Sequence, residues 1–246
     1  MSGLRGSATA TAIMASGVRF LDGAPDPRTP GPPASFTLPS RALEYTVYTM
    51  PATSTADRIL DAARASFSTG GAEAVTVRGV AAEVGITPMA IYRHFAGKEA
   101  LVDALVLEGL DRWAERLATV DVAAPLEWLF AAGDEFLAFA LEEPRRFEAA
   151  FLVPSSGARR FPDDFARGRS PAGRLWIARL EELRLSGQLA SDVTPLDAGL
   201  TFWALGQGLI TLYRAGRFAG GADEFTDFYR RAVRRCVLSF IEGAAR

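Results

Sequence analysis

From Thr55 onward, apolar residues return at helical spacing with few interruptions. Ile59, Leu60, Ala63 and Phe67 fall at i, i+1, i+4 and i+8, while Asp57, Arg58, Asp61 and Arg64 take the other face, the pattern of an amphipathic helix. Thr55 suits its N-cap and Gly70-Gly71 its stop. A short helix is predicted over 77–84, with Thr76 as cap and Gly85 as terminator. Another spans 88–95, where Thr87 caps and Pro88 takes the first helical position, which needs no N–H. A longer helix over 98–120 carries Leu101, Leu105, Val106, Leu110, Trp113 and Leu117. Breakers then mark helices over 125–141, 145–152, 171–185, 195–213 and 223–242, with 154–170 as a loop. No alternating run is long enough for a strand, so the fold class is all-α.

Composition changes this picture only modestly. The 246 residues are 49% hydrophobic, enough for a sizeable core. The formal charge of −2 and pI of about 5.6 differ from the strongly basic balance of a nucleic-acid coat protein. A small basic face is easily masked, however, in an average over a larger acidic body. With Cys236 the only cysteine and His94 the only histidine, neither a disulfide nor a cysteine zinc cluster is expected. That usage suits a reducing cytoplasm. No run approaches the roughly 18 apolar residues of a membrane span. No cofactor is expected.

The two short helices joined by Gly85-Ile86-Thr87 have the layout of a helix-turn-helix. Gly85 supplies the positive φ that the turn requires, and Ala81 leaves room for the helices to cross. Val80, Val84, Ile86 and Ile91 are spaced to fill a small core against Phe67. The second helix would then present its N-terminal residues to the major groove.

The run TVRGVAAEVGITPMAIYRHFAGKEAL, residues 76–101, resembles the DNA-binding signature of the tetracycline-repressor (TetR) family, and ILDAARASFSTGGAEAVTV before it resembles that family's first helix. The resemblance is specific over 55–105 and weak over 108–246, although WALGQGLITLYRAGRF (203–218) is similar to the penultimate, dimer-forming helix of such regulators. It implies a DNA-binding helix-turn-helix module at 54–100 and a helical ligand-sensing and dimerisation domain at 101–246. The implied activity is that of a ligand-responsive transcriptional regulator, most commonly a repressor, binding a palindromic double-stranded operator as a homodimer. Carried over by position, Thr76 and Arg78 begin the helix lying over the DNA backbone. Thr87, Pro88, Met89 and Ala90 face the bases, and Tyr92, His94 and Lys98 contact phosphates. Pro88, Met89 and Ala90 have no bidentate hydrogen-bonding groups, so reading is expected to rest on thymine-methyl contacts, on Arg78 and Arg93, and on DNA shape. Taken alone, a Tyr-x-His pair on a helix is more often a surface tyrosine beside a partly buried, hydrogen-bonded histidine.

Residues 1–53 depart from the helical pattern. They hold seven of the 14 prolines among Gly, Ser, Ala and Thr, and are expected to form a disordered tail. Two other readings stay open: an arm adding DNA contacts through Arg28 or Arg41, and a gene-start error, since Met50 stands where an ordinary start would.

Aromatic residues crowd the helices after the DNA-binding module. At helical spacing they serve a core first. The family resemblance also implies an apolar pocket among these helices, with Trp113, Trp128, Phe136, Phe147 and Trp176 as candidate walls. Glu148, Thr201 and Gln207 are its candidate polar groups. Such walls suit a small, mainly hydrophobic or aromatic effector. Gly199, Gly206 and Gly208 are expected to leave flat ground for a crossing helix. An apolar stripe from Phe228 through Tyr229, Ala232, Val233, Cys236, Val237 and Phe240 to Ile241 completes an expected dimer interface on the last two helices. Ordinary intrachain packing is the alternative for that stripe.

Two rival functions compete with this reading. An enzyme would need a nucleophile, but Cys236 sits among Val233, Val237 and Phe240, with only the distant-in-sequence His94 to activate it. Gly206-Gln207-Gly208 lies within a helix and does not follow a strand, unlike a phosphate-cradling loop. A helical ligand carrier would be favoured if Arg78, Tyr92 and Lys98 were buried.

Overall fold

The computed structural model describes residues 54–243, so the tail readings for 1–53 lie outside the described residues. Ten helices follow in order: α1 (Thr55–Ala74), α2 (Val77–Val84), α3 (Pro88–Ile91), α4 (Lys98–Ala118), α5 (Pro125–Glu142), α6 (Pro144–Leu152), α7 (Asp163–Ala166), α8 (Pro171–Leu185), α9 (Pro195–Arg214) and α10 (Ala222–Leu238). The described residues form no strand beyond an isolated antiparallel bridge between Leu189 and Ile241.

Local chemistry sets most helix ends, and it shifts some of them from the expected positions. The cap of α1 is Ser54, one residue before Thr55. Its hydroxyl accepts from the Asp57 N–H at 3.1 Å, while the Asp57 carboxylate accepts from the Ser54 N–H at 3.0 Å. This reciprocal box favours Ser54 because an acid stands three residues on. Gly70 and Gly71 do leave helical geometry, with φ of −144° and +67°, but one more helical turn follows to Ala74. Thr76 and Thr87 cap α2 and α3 as expected, and Gly85 closes α2 at φ +75°. Helix α3 is shorter than the sequence pattern suggests. After Ile91 the chain tightens into a turn in which Arg93 and His94 donate to the carbonyls three residues back. Without further buried residues between Ile91 and Phe95, nothing holds this exposed stretch in an α-helix.

The expected loop over 154–170 contains the short α7, anchored by the buried Phe165. Helix α10 stops at Leu238, short of residue 242. Phe240 and Ile241 instead turn back along the α8–α9 connection, with Ala190 N–H donating to Phe240 O and Glu242 N–H to Gln188 O, both at 2.8 Å.

Two apolar cores result. One gathers Ile59, Ala63, Phe67, Val80, Ala81, Val84 and Ile91 around Leu101, Leu105 and Val106 of α4, and takes in Ala149 of α6. The other packs Trp113 and Leu117 of α4 with Phe136, Phe139, Phe147, Trp176, Ile210, Phe225, Tyr229 and Val233. Helices α4 and α6 therefore each belong to both cores. They meet closely at Gly109, where a Cβ would stand 2.9 Å from the Arg146 carbonyl oxygen and 3.1 Å from Ala150. Glycine is needed here for close approach.

Candidate functional site

The α2–turn–α3 unit is built on buried Val80, Ala81, Val84 and Ile91, with Ile86 half-buried at the turn. Arg58 ties α1 to this turn by donating from Nη2 to the Val84 carbonyl at 2.8 Å. Periodicity placed Arg58 on the outward face, and its amphipathic stem lets the charged head reach back over that face.

Every residue assigned to DNA recognition is accessible. Thr76, Arg78, Thr87, Pro88, Met89, Tyr92, Arg93 and His94 are exposed, and Ala90 and Lys98 are half-buried. Met89 is 72% exposed, an apolar side chain held in water at the tip of α3. The Thr76 and Thr87 hydroxyls accept from Gly79 N–H and Ala90 N–H, at 3.0 and 3.3 Å. Their own protons remain available to an external acceptor. Among the described residues Arg78 and Arg93 enter no ion pair, whereas Lys98 pairs with Glu73 at 3.2 Å.

A cavity of about 210 Å³ opens in the second core between α4, α5, α6, α8, α9 and α10. Of the expected wall residues, Trp113, Phe136, Trp176 and Gln207 line it. Trp128, Phe147, Glu148 and Thr201 do not. Trp128 is buried with its indole N–H donating to the Val120 carbonyl at 3.2 Å, and Phe147 lies wholly inside the aromatic core. Glu148 points to Arg145 and Arg214, at 2.9 and 3.1 Å. Thr201 is exposed and its hydroxyl donates to the Asp197 carbonyl one turn back. Helical spacing gives a residue's face but not which neighbour that face meets, and these four fall on the wrong side of the divide.

The remaining walls include Phe151, Phe165, Phe202, Trp203 and Tyr229, with Asp111 and Arg159 as the charged members. Sequence reasoning singled out neither Asp111 nor Arg159. Arg159 comes from the segment read as a plain loop, which is held by the buried Phe165 and by Ser155 and Ser156 donating to the Asp103 carboxylate. Gln207 is held by its Nε2, which donates to the Phe151 carbonyl at 3.2 Å.

Two of the three glycines on α9 also find a different use. A Cβ at Gly199 would collide with the Trp176 ring, and one at Gly206 would stand 2.9 Å from the Tyr229 hydroxyl. Both admit side chains of their own chain, and only Gly208 faces open space. Likewise Tyr229, Val233 and Val237 of the α10 stripe are buried within the chain. The apolar surface left outside comprises Leu212, 54% exposed, and Phe228, 39% exposed. Cys236 is half-buried and burial pushes its thiol up to about 11, so it is protonated and a poor nucleophile near neutral pH.

Arg116 of α4 is gripped by Glu135, Glu142 and Glu143. Burial opposes the charge on Glu143, but Arg112, Arg146 and Arg116 outweigh it and hold the carboxyl down at about 2.

The chain has relatives along most of its length. Residues 59–105 match the family described as bacterial regulatory proteins, tetR family, and residues 129–236 match the tetracyclin repressor-like C-terminal domain. The HTH-type transcriptional repressor Rv1474c of Mycobacterium tuberculosis is 32% identical over 72% of this chain and 92% of its own. The HTH-type transcriptional repressor KstR2 of Mycolicibacterium smegmatis is 30% identical over 59% of this chain and 71% of its own. A crystal structure of a tetR-family regulatory protein from Rhodococcus RHA1 shares the fold, with a TM-score of 0.54 and 22% identity, covering 79% of this chain and all of the other. With a helix-turn-helix at one end, an all-helical body at the other and matches over both, the chain belongs to the TetR family of bacterial transcriptional regulators.

Proposed function

We propose that this regulator is a repressor that binds a palindromic operator as a homodimer and is released by a small, mainly hydrophobic or aromatic effector. Residues 54–100 act as the DNA-binding module and 101–246 as the sensing and dimerisation domain. The observation that carries the reading is the exposed α2–α3 face, where Arg78 and Arg93 enter no ion pair among the described residues and Met89 stands in water. Such groups are suited to phosphates, guanine edges and a thymine methyl. Two relatives carrying the name of repressor favour repression over activation.

Dimerisation through α9 and α10 is supported by Leu212, Phe228 and the open Gly208 on neighbouring outer surfaces. Coupling is supported by α4, which runs unbroken from Lys98 beside the helix-turn-helix to Trp113 in the cavity wall. A ligand that tilts α4 would change the spacing of the two recognition helices and cost contacts in both half-sites together.

The test is a gel shift with the protein's own upstream intergenic DNA at several salt concentrations. Tyr92→Phe and Lys98→Ala are expected to weaken binding to all sequences, with Lys98→Ala also flattening the salt dependence. Arg78→Ala should in addition relax base preference. Unchanged affinity in all three would overturn the assigned surface.

A further inference from the structure

Trp203 carries the buried side-chain nitrogen that, among the described residues, has no hydrogen-bond partner. Its ring lines the cavity and packs against Phe151 and Phe165, with centroids 6.2 and 5.7 Å away. Neither ring offers an oxygen, and a buried donor left without an acceptor is unfavourable. Gln207 stands one helical turn further along α9 on the same wall, which brings the two side chains side by side. Its Nε2 is committed to the Phe151 carbonyl, so its own carbonyl oxygen faces elsewhere and accepts from no described group. The Tyr229 hydroxyl is already engaged, donating to the Gly133 carbonyl at 3.2 Å.

From this we infer that Trp203 and Gln207 form the polar edge of the effector site, and that the effector is a compact, neutral ring system bearing a carbonyl. The carbonyl accepts from Trp203 Nε1–H, and an adjacent N–H or O–H, where present, donates to Gln207. This contact requires the indole to turn, because its nitrogen is fully covered by protein. Two features set the rest of the class. The cavity, at about 210 Å³, is smaller than the roughly 300–1,000 Å³ of sites for drug-sized ligands, which favours one or two fused rings over a long chain. Asp111 and Arg159 bring opposite charges to the wall, so the site has no net preference for an ion. The inference rests on the cavity being the effector site.

Three bicyclic probes with the same fused six-membered ring frame test it: tetralin, 1-tetralone and the lactam 3,4-dihydroquinolin-2-one. In calorimetric titration of the full chain, 1-tetralone should bind at least about tenfold more tightly than tetralin, equivalent to 1.4 kcal/mol, and the lactam more tightly again. Trp203→Phe should remove the advantage of the ketone, bringing 1-tetralone and tetralin to within about twofold of one another in that variant. In wild-type protein labelled with ¹⁵N, one indole N–H resonance should move downfield with the ketone and stay still with tetralin, a readout that does not depend on the variant folding. Binding of all three with equal affinity, or an undiminished ketone preference in Trp203→Phe, would overturn the polar edge and leave the cavity a ligand site. Failure of every probe to bind at millimolar concentration would overturn both. Operator affinity, measured separately, decides whether the cavity controls DNA.

Discussion

Arg64 of α1 meets Glu108 of α4 in a forked pair, its Nε 3.0 Å from one carboxylate oxygen and its Nη2 2.9 Å from the other. This bond joins the first helix of the DNA-binding module to the helix that continues toward the cavity. Both partners are partly exposed, so the pair contributes orientation more than stability. Glu108→Gln is expected to lower unfolding free energy by less than about 1 kcal/mol in urea titration. The same variant should alter operator affinity by more than that loss of stability explains. Unchanged operator affinity would show that the pair does not orient the module.

At Gly109 the backbone of α6 comes too close for a side chain. Because the nearest atom is a carbonyl oxygen and not a flexible tip, the neighbour cannot give way cheaply. Gly109→Ala should therefore destabilise the protein by about 1–3 kcal/mol, as overpacking does. A thermal or urea midpoint equal to wild type would mean that α4 and α6 slide apart freely.

The Glu143 cluster predicts an acid limit. Its carboxyl is held at about 2 against an ordinary 4.5, so the ionised form is favoured in the folded state. The stabilisation is whole above about pH 4.5 and drains away as pH falls toward 2. Glu143→Gln should lose stability at neutral pH and show a shallower decline through that window. Parallel wild-type and variant curves between pH 5 and about 2.5 would overturn the assignment.

Glu73 pairs with Lys98, the lysine beside the proposed DNA-binding surface. Glu73→Gln should raise DNA affinity at low salt and steepen its salt dependence by up to about one counterion. An unchanged slope would show that Lys98 stays away from the phosphates.

The exposed Phe228 and Leu212 give a direct test of the proposed dimer face. Phe228→Arg with Leu212→Arg should halve the mass seen by sedimentation while leaving helix content intact. Retention of the wild-type mass would move the interface elsewhere.

The helices, and the exposure of the face proposed to meet DNA, were legible in the sequence because both depend on local rules. Thr76, Gly85, Thr87 and Pro88 fix the helix-turn-helix through capping and φ preferences that act within a few residues. Apolar spacing then says which face of each helix turns inward. The same rules put Trp113, Phe136, Trp176 and Gln207 on inward faces, where the cavity lies.

Only the tertiary structure decided which inward residues face a cavity and which face a neighbour. Phe147 and Phe151 are one turn apart on α6, yet the first is sealed in the core and the second lines the cavity. Gly199 and Gly206 look like ground for a partner helix, but receive Trp176 and Tyr229 of the same chain. Arg159 and Asp111 line one cavity from segments 48 residues apart. Periodicity reports the angle of a side chain about its own helix axis. Where helices cross, how far apart they stand and what void remains between them depend on the summed volumes of side chains from all of them, which no local pattern contains.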